Sequence, residues 1–315
     1  MVLLWILAFL VLTVLGISFV CFRMAFYADR KPDTEEFPLP VGPEYEPHRE
    51  LMKKFIIQTR ALHHEPVEIT SFDGLKLRGK YYEFAPGAPI ELMFHGYRGK
   101  AERDLSGGVQ RCFKLGRSAL LVDQRACGDS EGHVITFGLR ECRDCLDWVN
   151  FMVGKFGPDV KIILTGISMG ASTVMLAAGQ PLPEQVVGVL ADCGFTSAKA
   201  IIQEVIRGMK LPPKLAYPFV RLGALLFAGL DIEADSSLDA MGRCKTPIIF
   251  FHGEADDFVP CAMSVENHAA CSAPKRLVTV PGAAHGLGYL TDPETYLDTL
   301  AEFSREHYGV ECTRT

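Results

Sequence analysis

The sequence predicts an α/β domain, with a mostly parallel central sheet flanked by helices. Three observations predict it. From residue 67 onward, short apolar runs of strand length alternate with longer stretches of helical periodicity. A hairpin signal, Asp73-Gly74 between two strand-like runs, opens the series. The chemically capable residues fall just after the strand-like runs, and ligands in such sheets bind beyond the carboxyl ends of the strands.

The strand-like runs are 67–72 and 75–84 about the hairpin, then 90–94, 118–122, 161–165, 186–191, 247–251 and 276–280. Between and after them, helices are expected over 101–115, 139–156, 169–179, 261–270 and 293–307. Residues 195–243 break the rhythm: they are apolar, helical in pattern and punctuated by Pro212, Pro213 and Pro218. An insertion between two sheet strands either lies over the site as a short helical lid or covers one sheet face as an extra layer.

The 315 residues, 48% of them hydrophobic, can fill a large core. The formal net charge of −6, with no Lys/Arg block in the body of the chain, argues against a nucleic-acid groove and predicts no nucleic-acid partner. The ten cysteines are irregularly spaced, and most fall in apolar or helical stretches. A chain of this length needs no disulfide staples, so they read as mostly reduced core residues and hint at a reducing compartment. Cys142-x-x-Cys145 has no second pair or histidine at suitable spacing and reads as part of a helix, not as a metal site.

Residues 2–22 carry no charge and no proline. At about 1.5 Å per residue they reach across the hydrocarbon core of a bilayer, so they are expected to form a transmembrane anchor. A cleaved signal would want positive charge before the run and small residues after it; instead Arg23, Arg30 and Lys31 follow it. The positive-inside rule then places the rest of the chain in the cytoplasm. Residues 30–47, rich in proline and acid, read as an extended connector, and 50–63 as a leading helix. The chain thus divides into an anchor (1–28), a connector with leading helix (29–65), a domain (66–309) carrying the insertion 195–243, and a tail (310–315).

Gly-x-Ser-x-Gly occurs twice, at Gly166-Ile167-Ser168-Met169-Gly170 and at Gly128-Asp129-Ser130-Glu131-Gly132. A nucleophilic serine of this kind needs a sharp strand-to-helix turn with small flanking residues. Residues 161–165 and 171–178 supply strand and helix around Ser168; Ser130 lacks an immediate helix and is flanked by Asp129 and Glu131, which would disfavour an alkoxide. Ser168 is therefore the candidate nucleophile. A serine hydroxyl needs a base, and His285, in a glycine-containing loop after the last strand, is placed to serve; His95 and His252 read as structural. The base needs an acidic partner, and Asp256 and Asp257 after the strand 247–251, with Asp192 as rival, are the candidates. Backbone N–H groups of Met169 and Tyr97 suit an oxyanion hole.

Phe94-His95-Gly96-Tyr97, residues 123–132, Gly166-Ile167-Ser168-Met169-Gly170, His252-Gly253 with Asp256 and Val259-Pro260, and His285-Gly286 together resemble the α/β-hydrolase superfamily over residues 66–307. Within it the sequence is similar to compact serine hydrolases related to the serine aminopeptidase-like group. In that branch the acid stands three residues after the glycine of His-Gly and three before the valine of Val-Pro, which implies Asp256. The branch also carries the Ser130 stretch as a non-catalytic loop. The resemblance implies an α/β-hydrolase fold and a serine esterase acting through a catalytic triad. It would cleave an acyl ester or thioester through an acyl-enzyme without cofactor or metal. An amidase or peptidase of the same mechanism, or a non-catalytic binding protein on the same fold, are the alternatives. The expected partners are a small-molecule or lipid-like acyl substrate and the membrane. The sequence leaves the oligomeric state open.

Overall fold

The structure is a computed structural model, and it describes residues 1–29 and 36–311. Arg30, Lys31 and the tail residues 312–315 lie outside the described residues. Eight strands form one sheet: β1 Glu65–Thr70, β2 Lys76–Tyr82, β3 Ile90–Phe94, β4 Ser118–Val122, β5 Ile162–Ile167, β6 Val186–Asp192, β7 Ile248–Gly253 and β8 Lys275–Val280. Their spatial order is β1-β2-β4-β3-β5-β6-β7-β8. The hairpin β1–β2 and the pair β2–β4 are antiparallel; all the pairs from β4 to β8 are parallel.

Residue type explains where each strand sits. β3, β4 and β7 are buried along their whole length, as mostly apolar runs such as Ser118-Ala-Leu-Leu-Val122 require when both sheet faces are covered. β1 instead alternates, with only Val67 and Ile69 buried, and lies at an edge.

The helices are α1 Val2–Ala25, α2 Arg49–Ala61, α3 Ala101–Lys114, α4 Glu141–Phe156, α5 Met169–Ala178, α6 Ala198–Gly208, α7 Pro213–Ala228, α8 Ser237–Arg243, α9 Ala262–Ala270, α10 Gly288–Thr291 and α11 Pro293–Phe303. Trp148 and Met152 of α4, Val174 and Met175 of α5, and Ala240 and Met241 of α8 pack on one sheet face. Val109 and Cys112 of α3, and Leu297 and Leu300 of α11, fill the other. A buried ion cluster sits among them, with Glu91 of β3 between Arg111 and Arg117. Burial opposes ionisation of Glu91, but the two guanidiniums outweigh it and hold the carboxyl at about 2.

The insertion 195–243 has two parts. α8 joins the sheet-face core against α5. α6 and α7 build a separate cluster above the sheet rim with Phe22 and Phe26 at the end of α1, Phe137, Phe195 and Met169. Helix α1 is apolar along its length and almost fully exposed over residues 2–17. Its last two turns seat Ser18 and Phe22 against α7, where a side chain at Gly223 would come within 2.3 Å of the Ser18 carbonyl. Only glycine allows backbones that close. The nine described cysteines are free, and seven are buried.

Candidate active site

Every candidate residue leaves the sheet at one rim. β3 ends in His95-Gly96-Tyr97, β5 in Ser168, β6 in Asp192, β7 in the loop holding Asp256, and β8 in the loop holding His285. Ser168 sits between β5 and α5 at φ 56°, ψ −118°, outside the comfortable regions for a side-chain-bearing residue. The turn fits because its neighbours are glycines. A Cβ on Gly166 would lie 2.1 Å from the Gly170 carbonyl, and one on Gly170 would lie 2.1 Å from the Phe94 carbonyl. Ser168 N–H donates to the Asp192 carbonyl at 2.8 Å, which pins the turn to β6.

His285 Nε2 lies 2.9 Å from Ser168 Oγ, and its Nδ1 lies 2.7 Å from Asp256 Oδ2. With a carboxylate at Nδ1, that nitrogen carries the proton and Nε2 is free to accept the serine hydroxyl. Asp256 is held in turn. Its Oδ1 accepts the N–H groups of Phe258 at 3.0 Å and Val259 at 2.8 Å, and its Oδ2 lies 3.2 Å from His252 Nε2. Burial opposes the charge, but the bonds from His252, His285 and Val259 outweigh it and hold the carboxyl down at about 2.

The rivals stand elsewhere. Asp192 is buried and accepts the Tyr296 hydroxyl at 2.8 Å; burial raises its carboxyl above the ordinary range despite that bond. Asp257 is exposed at the cavity wall. Ser130 is fully buried, with its hydroxyl 2.6 Å from the Asp123 carbonyl and 2.8 Å from the Arg78 N–H. His95 is buried too. It accepts the Gln124 N–H at Nε2, 3.0 Å, and donates from Nδ1 to the Gly96 carbonyl, 2.7 Å, which braces the loop carrying Tyr97. That loop is close to the nucleophile: a Cβ on Gly96 would lie 3.5 Å from Ser168 Cβ.

Ser168 and His285 open into a cavity of about 450 Å³. Its walls are mostly apolar, with Met52, Phe55, Leu105, Ile167, Leu287 and Leu290 among them. None of its lining residues comes from 195–243. The roof comes from the connector, Pro40, Val41 and Tyr45, and from α2. Tyr45 Oη donates to the His285 carbonyl at 3.3 Å. No sequence signal announces this roof, because a proline-rich segment has no periodicity to show what it covers. The approach of His252 to Asp256 was also missed: its Nε2 lies 2.8 Å from the Val259 carbonyl and 3.2 Å from Asp256 Oδ2, four residues on.

Among the described residues, Cys193, Asp256 and His285 are one grouping whose ligating atoms lie within 4.8 Å of one another. They suit a metal poorly. Asp256 and His285 are bonded to each other, and burial pushes the Cys193 thiol well up, so it stays protonated.

Fold and site define a class, and sequence comparison agrees. Residues 92–299 match the model of the alpha/beta hydrolase family, and the chain belongs to that family. YqkD of Bacillus subtilis is 27% identical over 190 residues, which span 60% of this chain and 62% of YqkD. MT2364 of Mycobacterium tuberculosis is 28% identical over 245 residues, 76% of this chain and 79% of that protein. The Pyrococcus furiosus esterase Pf2001 superposes with a TM-score of 0.66 at 23% identity, covering 86% of this chain and 97% of its own. Family and fold support hydrolase activity.

Proposed function

We propose that the protein is a serine hydrolase that cleaves an acyl ester or thioester through an acyl-enzyme. The observation that carries this reading is the continuous hydrogen-bonded series Ser168–His285–Asp256 at the floor of an apolar cavity.

Ser168 Oγ attacks the acyl carbonyl while His285 Nε2 takes its proton. Asp256 keeps the imidazole in the accepting tautomer and stabilises the imidazolium that forms. The Met169 and Tyr97 N–H groups receive the negative oxygen of the tetrahedral intermediate. His285 returns its proton to the leaving alcohol or thiol, and the acyl group stays on Ser168. Water then repeats the sequence in reverse roles, releasing a carboxylic acid and the free serine. Apolar walls favour an apolar acyl group. An esterase name on Pf2001, a neighbour in fold, agrees with an ester substrate.

The apolar helix α1 is read as a single-pass membrane anchor, with the catalytic domain on the cytoplasmic side. Its 24-residue length, mean hydropathy of 2.7 over its best window and the Arg23 that ends it support this.

Fluorophosphonate labelling of the full chain tests the chemistry: the wild type labels and Ser168→Ala does not. Labelling that survives the substitution removes Ser168 from the mechanism. p-Nitrophenyl esters of graded chain length, run beside aminoacyl amides, decide between ester and amide.

A further inference from the structure

Helix α1 ends on the loop that follows β3. Tyr97 Oη donates to the Ala25 carbonyl at 2.9 Å. Arg98 Nη2 donates to the Met24 carbonyl at 2.9 Å and to the Tyr27 carbonyl at 2.8 Å. Carbonyls at a helix C-terminus lack intrahelical donors, and a cation there also meets the negative end of the helix dipole.

The chain just beyond α1 is fastened as firmly. Ala28 N–H donates to the His133 carbonyl and Ile135 N–H to the Phe26 carbonyl, both at 2.8 Å, with Tyr27 paired to Val134. The Phe137 ring lies between Phe26, edge-on at 5.6 Å, and Tyr97, stacked at 5.3 Å. Arg98 itself is at φ 51°, a left-handed conformation that a non-glycine residue keeps only when its surroundings hold it. Those surroundings include the carbonyls of α1. On the inner side, His95 and Gln124 brace the same loop.

We propose that Arg98 and the Tyr97 hydroxyl, by clamping the last turn of α1, are positioning residues for the Tyr97 backbone N–H in the oxyanion hole. Helix α1 then governs turnover as well as location. This rests on the reading of Ser168 as nucleophile and Tyr97 N–H as oxyanion donor.

An oxyanion donor acts within a few tenths of an ångström, and a displacement of about 1 Å can cost on the order of 10²-fold in rate. The oxyanion exists only on the reaction path, so misplacing its donor lowers kcat and leaves KM alone. In the full chain, reconstituted in bilayer nanodiscs and assayed with p-nitrophenyl esters, Arg98→Ala lowers kcat about tenfold with KM unchanged. Arg98→Lys recovers part of the loss, since an ammonium still donates to carbonyls but lacks the fixed planar geometry of the guanidinium. Tyr97→Phe, which deletes one hydroxyl, lowers kcat about threefold. Arg276→Ala is the control: it breaks pairs with Glu302 and Glu306, lies outside the cavity wall, and leaves kcat as it was.

All rates are expressed per fluorophosphonate-titrated site. A merely structural role lowers the melting temperature and the titrated fraction but not kcat per site. An active wild type with an Arg98→Ala variant of equal kcat per site overturns the proposal and leaves the serine reading standing. A wild type that neither labels nor turns over removes that reading and the proposal with it. If Arg98→Ala fails to fold, Tyr97→Phe decides, and an unchanged kcat overturns the clamp.

Discussion

The chain writes Gly-x-Ser-x-Gly twice, and the two copies have opposite fates. At Ser168 the glycines give room: backbone from Phe94 and Gly170 closes within 2.1 Å of where their Cβ atoms would be. The serine is thrown into a positive-φ turn, with its hydroxyl on His285. At Ser130 the glycines give conformation, with Gly128 at φ 52° and Gly132 at φ 103°, and the serine is sunk with its hydroxyl bonded to backbone. The same five-residue pattern thus builds a strained turn beside the cavity in one place and a rigid polar loop in the other. The element that follows makes the difference: α5 begins at Met169, while no helix begins after Ser130 until Glu141.

Substitutions can break this contrast. The largest effect belongs to Ser168→Ala, which should abolish turnover, a loss of ~10⁶-fold in kcat, without lowering the melting temperature. Next comes Gly170→Ala, which forces a methyl into the Phe94 carbonyl and should cost more than about 3 kcal/mol in a denaturant titration. Gly132→Ala meets the Leu75 side chain at 3.2 Å and the Ala126 backbone nitrogen at 3.3 Å, far less tight than 2.1 Å, and costs mainly the strain of its positive φ, about 1–2 kcal/mol. Equal costs for the two would erase the distinction between room and conformation.

Acid unfolding sharpens the comparison at its third level. Asp256 has a folded-state value of about 2 against an ordinary 3.8. Between those values the unfolded chain binds the extra proton, so stability rises with pH. The contribution, about 2 kcal/mol, is complete above pH 4 and is lost as pH falls toward 2. Asp256→Asn should flatten the stability curve in that window alone; an unchanged slope would place the acid sensitivity elsewhere. The smallest effect is Ser130→Ala. It leaves a part-buried carbonyl and N–H without the hydroxyl and should cost about 1 kcal/mol in stability while turnover per site stays put. A collapse of turnover in that variant would make the second motif catalytic after all.

Much of the architecture was legible in the sequence. The expected runs 90–94 and 118–122 coincide with β3 and β4, because strands buried on both faces write mostly apolar stretches, with Glu91 as the charged exception. Ends were less legible: β5 runs two residues past 165 because the turn at Ser168 keeps Gly166 and Ile167 in the ladder. Helix 293–307 divides at Ser304, where the backbone widens into a π-turn. The insertion's division of labour was hidden, since α6, α7 and α8 all read as apolar helices and only tertiary contact assigns α8 to the core. At the candidate site, residue order and local pattern pointed to Ser168 and His285 and left Asp256, Asp257 and Asp192 open, with the family resemblance favouring Asp256; the fold brings Ser168, His285 and Asp256 within hydrogen-bonding distance. What lay beyond reach was long-range packing: the connector over the cavity and the stitching of residues 24–28 to the β3 loop join segments with no shared periodicity.

The close pass of α1 and α7 bears on how the leading helix could ever be exchanged. An unrelated apolar segment of equal length and hydropathy would match α1 in bulk character. It would still have to offer a slim flank where Ser18 now meets Gly223. A graft matched in hydropathy alone would therefore lose its seat on α7.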